Sequence, residues 1–320
     1  MSQHYLEEIP ETPAEESAVN KRIKLIAWAI IIVAVTFLLG LSSGYWKWGR
    51  NETGTVTQEQ QLTQLYRQIN PETGYSLPVT YGDLGPQLVA AGVIDNVALQ
   101  NVMTASGDPL SEQQLEILTK GSDEEIVITG ENAHFLLNFF WAVGLANRNA
   151  ILTEGAMVQN SGGQIERFAS TGGWTLATKP ITELYASLDL IPLTAEQQAQ
   201  VEKVAAAVYR PCCNNPTLFP DCNHGMAMLG LLELMAAQGA STDEMFMAAK
   251  YINAYWFPQQ TLETAVYLKS NQDMDFADAD ARLVVSKELS SASGASMVHA
   301  SLQAGGLLKQ TPGQGGSCAN

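Results

Sequence analysis

The sequence predicts a mainly α-helical protein, with one N-terminal transmembrane helix followed by an all-α, or nearly all-α, extracytoplasmic domain. Two observations support this class. Residues 25–45 carry no charge, and about twenty apolar residues are enough to cross a bilayer. Beyond residue 50, apolar residues recur at helical spacing in segments bounded by glycine, proline and helix-capping residues, and no second stretch is apolar over a comparable length.

The charges around residues 25–45 predict the orientation of the chain. Lys21, Arg22 and Lys24 precede the stretch, and Lys47 and Arg50 follow it. Because cytoplasmic flanks carry the excess of basic residues, we expect the N-terminus in the cytoplasm and a single crossing of the cytoplasmic membrane. The predicted segments are a cytoplasmic acidic tail (1–24), the transmembrane helix (25–45), a juxtamembrane linker and helix (46–70), the helical extracytoplasmic domain (71–310) and a flexible tail (311–320).

Start and stop residues divide the extracytoplasmic part into helices. Ser111, Thr194 and Ser241 open helices, whereas Gly92 and Gly121 end them. Residues 122–129 are interpreted as a short strand or a buried connector. The other predicted helices cover residues 57–69, 84–91, 96–105, 111–120, 132–147, 194–209, 226–237, 241–257, 259–270, 277–289 and 295–309.

Two further segments receive structural interpretations. Residues 132–147 predict a buried helix with a broad apolar face, and His134 near its start is interpreted as a structural residue. Residues 160–173 are rich in Gly and Ser and predict a flexible stretch, either a lid or a surface loop.

Charge and motifs exclude several functions. The net charge of −16 argues against nucleic acid as a partner, and no glycine-rich nucleotide-binding motif occurs. Four aspartates crowd residues 273–280 without the mid-loop glycine and closing glutamate of a calcium loop, so we interpret them as ordinary helix-start residues. The sequence identifies no protein partner.

Residues 210–226 are the most informative part of the chain. This segment contains three of the four cysteines, one of the four histidines and three prolines. The prolines exclude a continuous helix or strand, so the segment is predicted to be a shaped loop. Thiols and an imidazole gathered on one loop suit a soft metal ion.

The loop predicts a copper or zinc site in an extracytoplasmic domain used for metal handling or sensing. Cysteine and methionine sulfur select the cuprous ion, and a Cys3His set has the ligand count of a closed zinc site. Arg210 and Asp221 are candidates for contacts to the ligands. The candidate ligands are Cys212, Cys213, Cys222 and His224, with Met226 and Met228 as auxiliary ligands.

Two alternatives explain the same cysteines. Disulfides persist outside the cytoplasm, so Cys212 or Cys213 can bond to Cys222 and the remaining cysteine to Cys318, which describes a stapled scaffold or interaction domain. A redox enzyme is the third reading, since Cys222 stands just before a predicted helix, where the dipole favours a thiolate. Against an enzyme, the chain contains no Cys-x-x-Cys motif or metalloprotease helix.

Four segments carry a resemblance. The residues Tyr209–Thr217 and Phe219–Gly230, with Tyr81–Gly92 and Glu131–Leu145, resemble an uncharacterised group of single-pass membrane-anchored bacterial proteins with a Cys-Cys…Cys-Asn-His-Gly loop. The resemblance covers most of the extracytoplasmic part and implies no activity. It implies that the loop is the functional part of the domain.

Overall fold

A computed structural model describes residues 58–308. The predicted tail 1–24, the transmembrane helix 25–45, residues 46–57 of the linker and the tail 311–320 lie outside the described residues and stay predictions. Among residues 58–308, no single helix combines the length and the apolar composition that crossing a membrane requires. The helices Leu84–Ala91 and Asn96–Ala105 meet those criteria only when taken together, across a bend of 107°.

Helices dominate the described residues, which confirms the mainly α-helical prediction. A single 3-10 turn, Ile165–Arg167, occurs within residues 58–308. The elements in chain order are α1 (Gln58–Ile69), β1 (Tyr75–Gly82), α2 (Leu84–Ala91), α3 (Asn96–Ala105), α4 (Glu112–Lys120), β2 (Ser122–Ile128), α5 (Ala133–Ala146), α6 (Ala150–Thr153), α7 (Ala156–Asn160), α8 (Ala169–Gly172), α9 (Ile181–Leu184), α10 (Ala195–Ala205), α11 (Asn223–Ala237), α12 (Thr242–Trp256), α13 (Pro258–Gln272), α14 (Ala281–Val284), α15 (Lys287–Ser290) and α16 (Ala292–Ala304).

The domain is not entirely helical, because β1 and β2 pair as a two-stranded antiparallel sheet. Residues 122–129 were predicted to be a short strand or a buried connector, and the strand is confirmed as β2. Strand β1 was not predicted. Leu77, Val79 and Tyr81 are buried at alternate positions of β1, which is the period that a strand with one buried face requires.

Side-chain caps fix several helix starts where they were predicted. Ser111, Thr194 and Ser241 each form a capping box with the residue three positions later. The predicted helix 277–289 is wrong. Ser286 adopts an extended backbone conformation between α14 and α15, and the chain therefore forms two short helices there. The helix predicted over 194–209 ends at Ala205.

The core is organised by a close crossing of α5 and α11. A Cβ atom on Gly144 would lie 2.1 Å from the Met226 carbonyl oxygen, and one on Gly230 would lie 2.5 Å from the Phe140 oxygen. Only glycine allows the two backbones to come this close. Both helices are buried along most of their length, so this contact fixes the position of α11 and of the loop that precedes it.

A second, smaller hydrophobic core joins α1, α13 and α16. It contains Leu65, Leu268 and Val298, all at most 4% exposed. The start of α16 is also hydrogen-bonded to the cysteine loop. The Ala292 N–H donates to the Cys213 carbonyl at 2.9 Å, and the Ser293 N–H donates to Asn214 Oδ1 at 2.8 Å.

The Gly/Ser-rich stretch 160–173 is not a structureless loop. It contains a 3-10 turn and α8, and the Trp141 indole donates to the Ser170 carbonyl at 2.7 Å. The Ser170 N–H donates to the Asp221 carbonyl at 3.1 Å. This stretch therefore packs against one side of the cysteine loop.

Candidate metal centre

The cysteine loop begins after α10 and folds back onto it. The Leu218 N–H donates to the Ala205 carbonyl at 2.9 Å, and the Thr217 N–H and hydroxyl both donate to the Val208 carbonyl. The prolines at 211, 216 and 220 provide no N–H, so no helix forms before Asn223. The loop is thereby held as a compact turn between α10 and α11.

The loop brings three sulfur atoms together. The Sγ atoms of Cys212, Cys213 and Cys222 all lie within 4.8 Å of one another, and the three residues are partly buried free thiols. The Cys212 and Cys222 sulfurs are 3.4 Å apart. Two ligands of a tetrahedral zinc ion with Zn–S bonds of about 2.3 Å are separated by roughly 3.8 Å, whereas disulfide sulfurs are about 2.05 Å apart. The three sulfurs could hold a metal ion, and the Cys212–Cys222 pair also lies near the distance of a disulfide.

Arg210 forms the floor of this cluster. Its side chain is 1% exposed, and its Nε donates to the Cys222 sulfur at 2.9 Å. The two terminal nitrogens donate to the Asn215 carbonyl at 3.0 Å and to Asp221 Oδ1 at 3.0 Å. Burial disfavours the guanidinium charge, but the sulfurs of the three cysteines outweigh that effect and raise the pKa of Arg210. The loop therefore contains a permanent, fully satisfied positive charge.

Gly225 makes room for this guanidinium. A Cβ atom at position 225 would lie 2.3 Å from Arg210 Nη2 and 2.5 Å from its Cζ. Asp221 is held from the other side, since the Asn215 amide donates to its Oδ2 at 2.7 Å. The predicted contacts of Arg210 and Asp221 to the cysteine cluster are present, because Cys213 also lies 3.8 Å from Asp221 Oδ1.

The three thiols are electrostatically unequal. Cys222 is the N-cap of α11, where the Gly225 N–H donates to its sulfur at 3.4 Å. Hydrogen bonds from the Cys212 and Cys213 thiols hold the pKa of Cys222 well below its usual range, Arg210 adds to this, and burial opposes it. The favoured protonation state is one thiolate, on Cys222, that accepts hydrogen bonds from its surroundings.

The other two thiols are harder to ionise. Hydrogen bonds to Cys213 and Cys222, followed by burial, raise the pKa of Cys212. A hydrogen bond from Cys212 lowers the pKa of Cys213. The hydrogen bond from Cys213 to Cys222 and the burial of Cys213 outweigh this effect and raise the pKa of Cys213 to about 11. A metal ion held by all three sulfurs would therefore displace two protons on binding.

His224 is not a member of the three-sulfur group. Its ring lies against Phe257 and Trp256, with centroids 4.4 and 5.7 Å away, and burial lowers its pKa to about 4. The imidazole is therefore neutral at pH 7, and its buried Nδ1 has no hydrogen-bond partner among residues 58–308. A neutral imidazole with a nitrogen that lacks a hydrogen-bond partner is chemically suited to a metal. Its role as a ligand stays a prediction.

Met226 and Met228 lie in the first two turns of α11, at 0% and 1% exposure. Both belong to the main hydrophobic core. Packing accounts for their positions, as it does for most buried methionines, and no contact tests whether either is an auxiliary ligand.

Sequence reasoning missed two features of the site. Asn215 was not singled out, although it orients Asp221, and the only available signal was the presence of amides beside charged residues in a tight loop. The connection of the loop to α16 was missed as well, since Asn214 and Ser293 are far apart in sequence.

Other charged clusters have structural roles. Lys269 pairs with Asp273 at 3.2 Å and with Asp275 at 3.3 Å. The buried ammonium of Lys250 donates to the Ala277 and Ala279 carbonyls and lies 4.6 Å from the centre of the Phe276 ring. Two lysines thus contact the aspartate-rich turn 273–280. The helix-start interpretation holds for Asp280, the N-cap of α14, whereas Asp273 follows the last residue of α13.

Comparisons with known proteins identify no relatives. No family model matches the chain, and no curated protein or solved structure is similar to it.

Proposed function

We propose that the protein binds one soft metal ion through Cys212, Cys213 and Cys222, copper before zinc, for metal handling or sensing. The observation that carries this proposal is the convergence of the three sulfurs within 4.8 Å. Thiolates are ligands of the cuprous ion and of zinc. Three sulfurs complete a cuprous site, whereas a closed zinc site takes four ligands and would need His224 as well.

The charges around the sulfurs support a cation at this position. Three thiolates and Asp221 would gather four negative charges beside the single positive charge of Arg210. Buried like charges repel one another, and a bound cation offsets that repulsion. Metal uptake is therefore expected to weaken at low pH, since protons compete for the sulfurs.

Metal content measured on the full-length protein tests the proposal. Native mass spectrometry after exposure to copper(I) or zinc is expected to show one bound ion, lost on acidification. Serine at position 212, 213 or 222 should abolish uptake, and so should Cys222→Ser combined with His224→Ala. Cys318→Ser, which alters the one cysteine outside the cluster, is the matched control. Full metal retention in the three cluster variants would refute the site.

His224→Ala alone separates the two metals. If copper is bound by the three sulfurs, this variant should keep its copper(I) affinity and lose affinity for zinc. Loss of both metals would assign His224 to a shared set of ligands. Folding of each variant is checked by its urea midpoint.

We further propose that residues 25–45 anchor the chain in the cytoplasmic membrane, with the cysteine loop on the extracytoplasmic side. The charge bias before the apolar stretch supports this orientation. A membrane-impermeant thiol reagent should label the cysteines in intact cells. Labelling only after lysis would place the domain on the other side.

A further inference from the structure

We propose that Cys212 and Cys222 form a reversible disulfide that excludes the metal, so that the loop alternates between a metal-binding trithiol and an oxidised, metal-free state. This inference rests on the proposed metal function. Its geometric basis is the Cys212–Cys222 distance of 3.4 Å, which is non-bonded contact between two sulfurs. Closure to a bond of about 2.05 Å requires roughly 1.3 Å of approach, which side-chain rotation and a small loop shift can supply.

The geometry selects this pair among the three cysteines. Cys212 and Cys213 are adjacent, and a disulfide between neighbours is strained. Cys213 also hydrogen-bonds to Cys222, but its thiol lies 3.7 Å from the Asn215 carbonyl and 3.8 Å from Asp221 Oδ1 as well. We assign Cys212 as the partner because its sulfur lies 3.4 Å from that of Cys222.

Cys222 is the sulfur positioned for attack. It lies at the N-terminus of α11 and accepts N–H donors from Arg210 at 2.9 Å and Gly225 at 3.4 Å. Donors of this kind stabilise a sulfur anion as it forms or leaves. Because the three cysteines are only partly buried, a small co-reactant can reach the loop.

The oxidant is a low-molecular-weight disulfide. The Cys222 thiolate attacks one of its sulfurs, the co-reactant's S–S bond breaks, and one thiolate leaves and takes a proton from water. Cys212 then attacks the Cys222 sulfur of the mixed disulfide, loses its proton, and releases the second thiol. Two protein thiols lose two electrons, and the co-reactant gains two electrons as two thiols.

Oxidation and metal binding exclude each other. In the disulfide, Cys212 and Cys222 have no thiolate to offer, and Cys213 remains as a single sulfur ligand. Conversely, a bound ion holds both thiolates and prevents attack. Reduction of the disulfide by a dithiol restores the site.

A peptide map of the full-length Cys318→Ser protein tests the pairing. Metal-free protein is treated with oxidised glutathione and then cleaved on the N-terminal side of Asp221, which separates Cys212 and Cys213 from Cys222. The expected result is one cross-linked peptide pair and an intact mass two hydrogens below the reduced value. The cross-link should persist in Cys213→Ser and disappear in Cys212→Ser. A cross-link that persists in Cys212→Ser would overturn the assignment.

Zinc is the probe for exclusion, because it does not itself oxidise thiols. At zinc concentrations ten times its dissociation constant, the rate of cross-linking should fall by about tenfold, since only the free sites react. Oxidised protein should take up no zinc, and dithiothreitol should restore one ion per chain. Zinc uptake without any cross-link would overturn this inference and leave the metal site standing. A cross-link in a protein that never binds metal would overturn both.

Discussion

Glu233→Gln should remove a pH dependence of stability that arises in the middle of α11. The Glu233 side chain is 0% exposed, its Oε2 accepts a hydrogen bond from the Asn147 amide at 3.0 Å, and its Oε1 has no partner among residues 58–308. Burial raises the pKa of this carboxyl to about 8, against the smaller opposite effect of the Asn147 and Asn149 amides. The group is therefore mostly protonated in the native protein at pH 7.

The sign of the effect follows from linkage between protonation and folding. The unfolded pKa is 4.5 and the folded pKa about 8, so the stabilisation is complete below pH 4.5 and is lost as the pH rises to 8. One pKa unit corresponds to about 1.4 kcal/mol, which gives a loss of roughly 3 kcal/mol by pH 7. Glutamine keeps an acceptor for Asn147 and does not titrate.

Urea denaturation of the full-length protein in detergent between pH 5 and 8 measures this effect. The free energy of unfolding of the wild type, minus that of Glu233→Gln, should fall by about 1.4 kcal/mol per pH unit. Glu166→Gln, at an exposed position, is the matched control for the loss of one carboxylate. A difference for Glu233→Gln that does not change with pH would refute the buried-acid reasoning.

Two further predictions concern packing and a buried cation. Gly144→Ala should lower the free energy of unfolding by about 2 kcal/mol despite the better helix propensity of alanine, because its Cβ would lie 2.1 Å from the Met226 oxygen. Gly305→Ala, where a Cβ would have contacts of 3.5 Å or more, is the control and should be neutral. Equal urea midpoints for Gly144→Ala and the wild type would contradict this prediction. Burial lowers the pKa of Lys250 to about 8, so the free energy of unfolding of the wild type, minus that of Lys250→Met, should rise from pH 8 to 10. A difference in free energy of unfolding that stays constant over this range would contradict the shift.

The helices could be predicted because their signals are local. A serine or threonine followed three residues later by Glu or Gln marks the starts of α4, α10 and α12, and the capping hydrogen bonds are made within the same turn. The cysteine loop was recognisable for the same reason, since prolines and thiols concentrate in a few residues. The convergence of Cys212, Cys213 and Cys222 follows from that short spacing.

Features that depend on distant residues could not be predicted. The pairing of β1 with β2 joins segments separated by three helices, and Arg210 gives no sign in the sequence that its guanidinium is buried. His224 was expected beside the sulfurs because it is two residues from Cys222, but α11 begins between them and its ring lies on Phe257. Glu233 belongs to an apolar helix whose burial on all sides only the tertiary packing establishes.

The contact between Gly225 and Arg210 predicts that these two positions vary together among related sequences. A Cβ atom at position 225 would lie 2.3 Å from the guanidinium, and loss of the guanidinium would remove the positive charge that Asp221 and Cys222 contact. Each change alone is expected to disturb the loop, so a lineage that keeps the thiols is expected to keep both residues or to replace both together. The pattern Arg-x-Cys-Cys, followed by Cys-x-x-Gly, is therefore a more selective query for distant relatives than the cysteines alone.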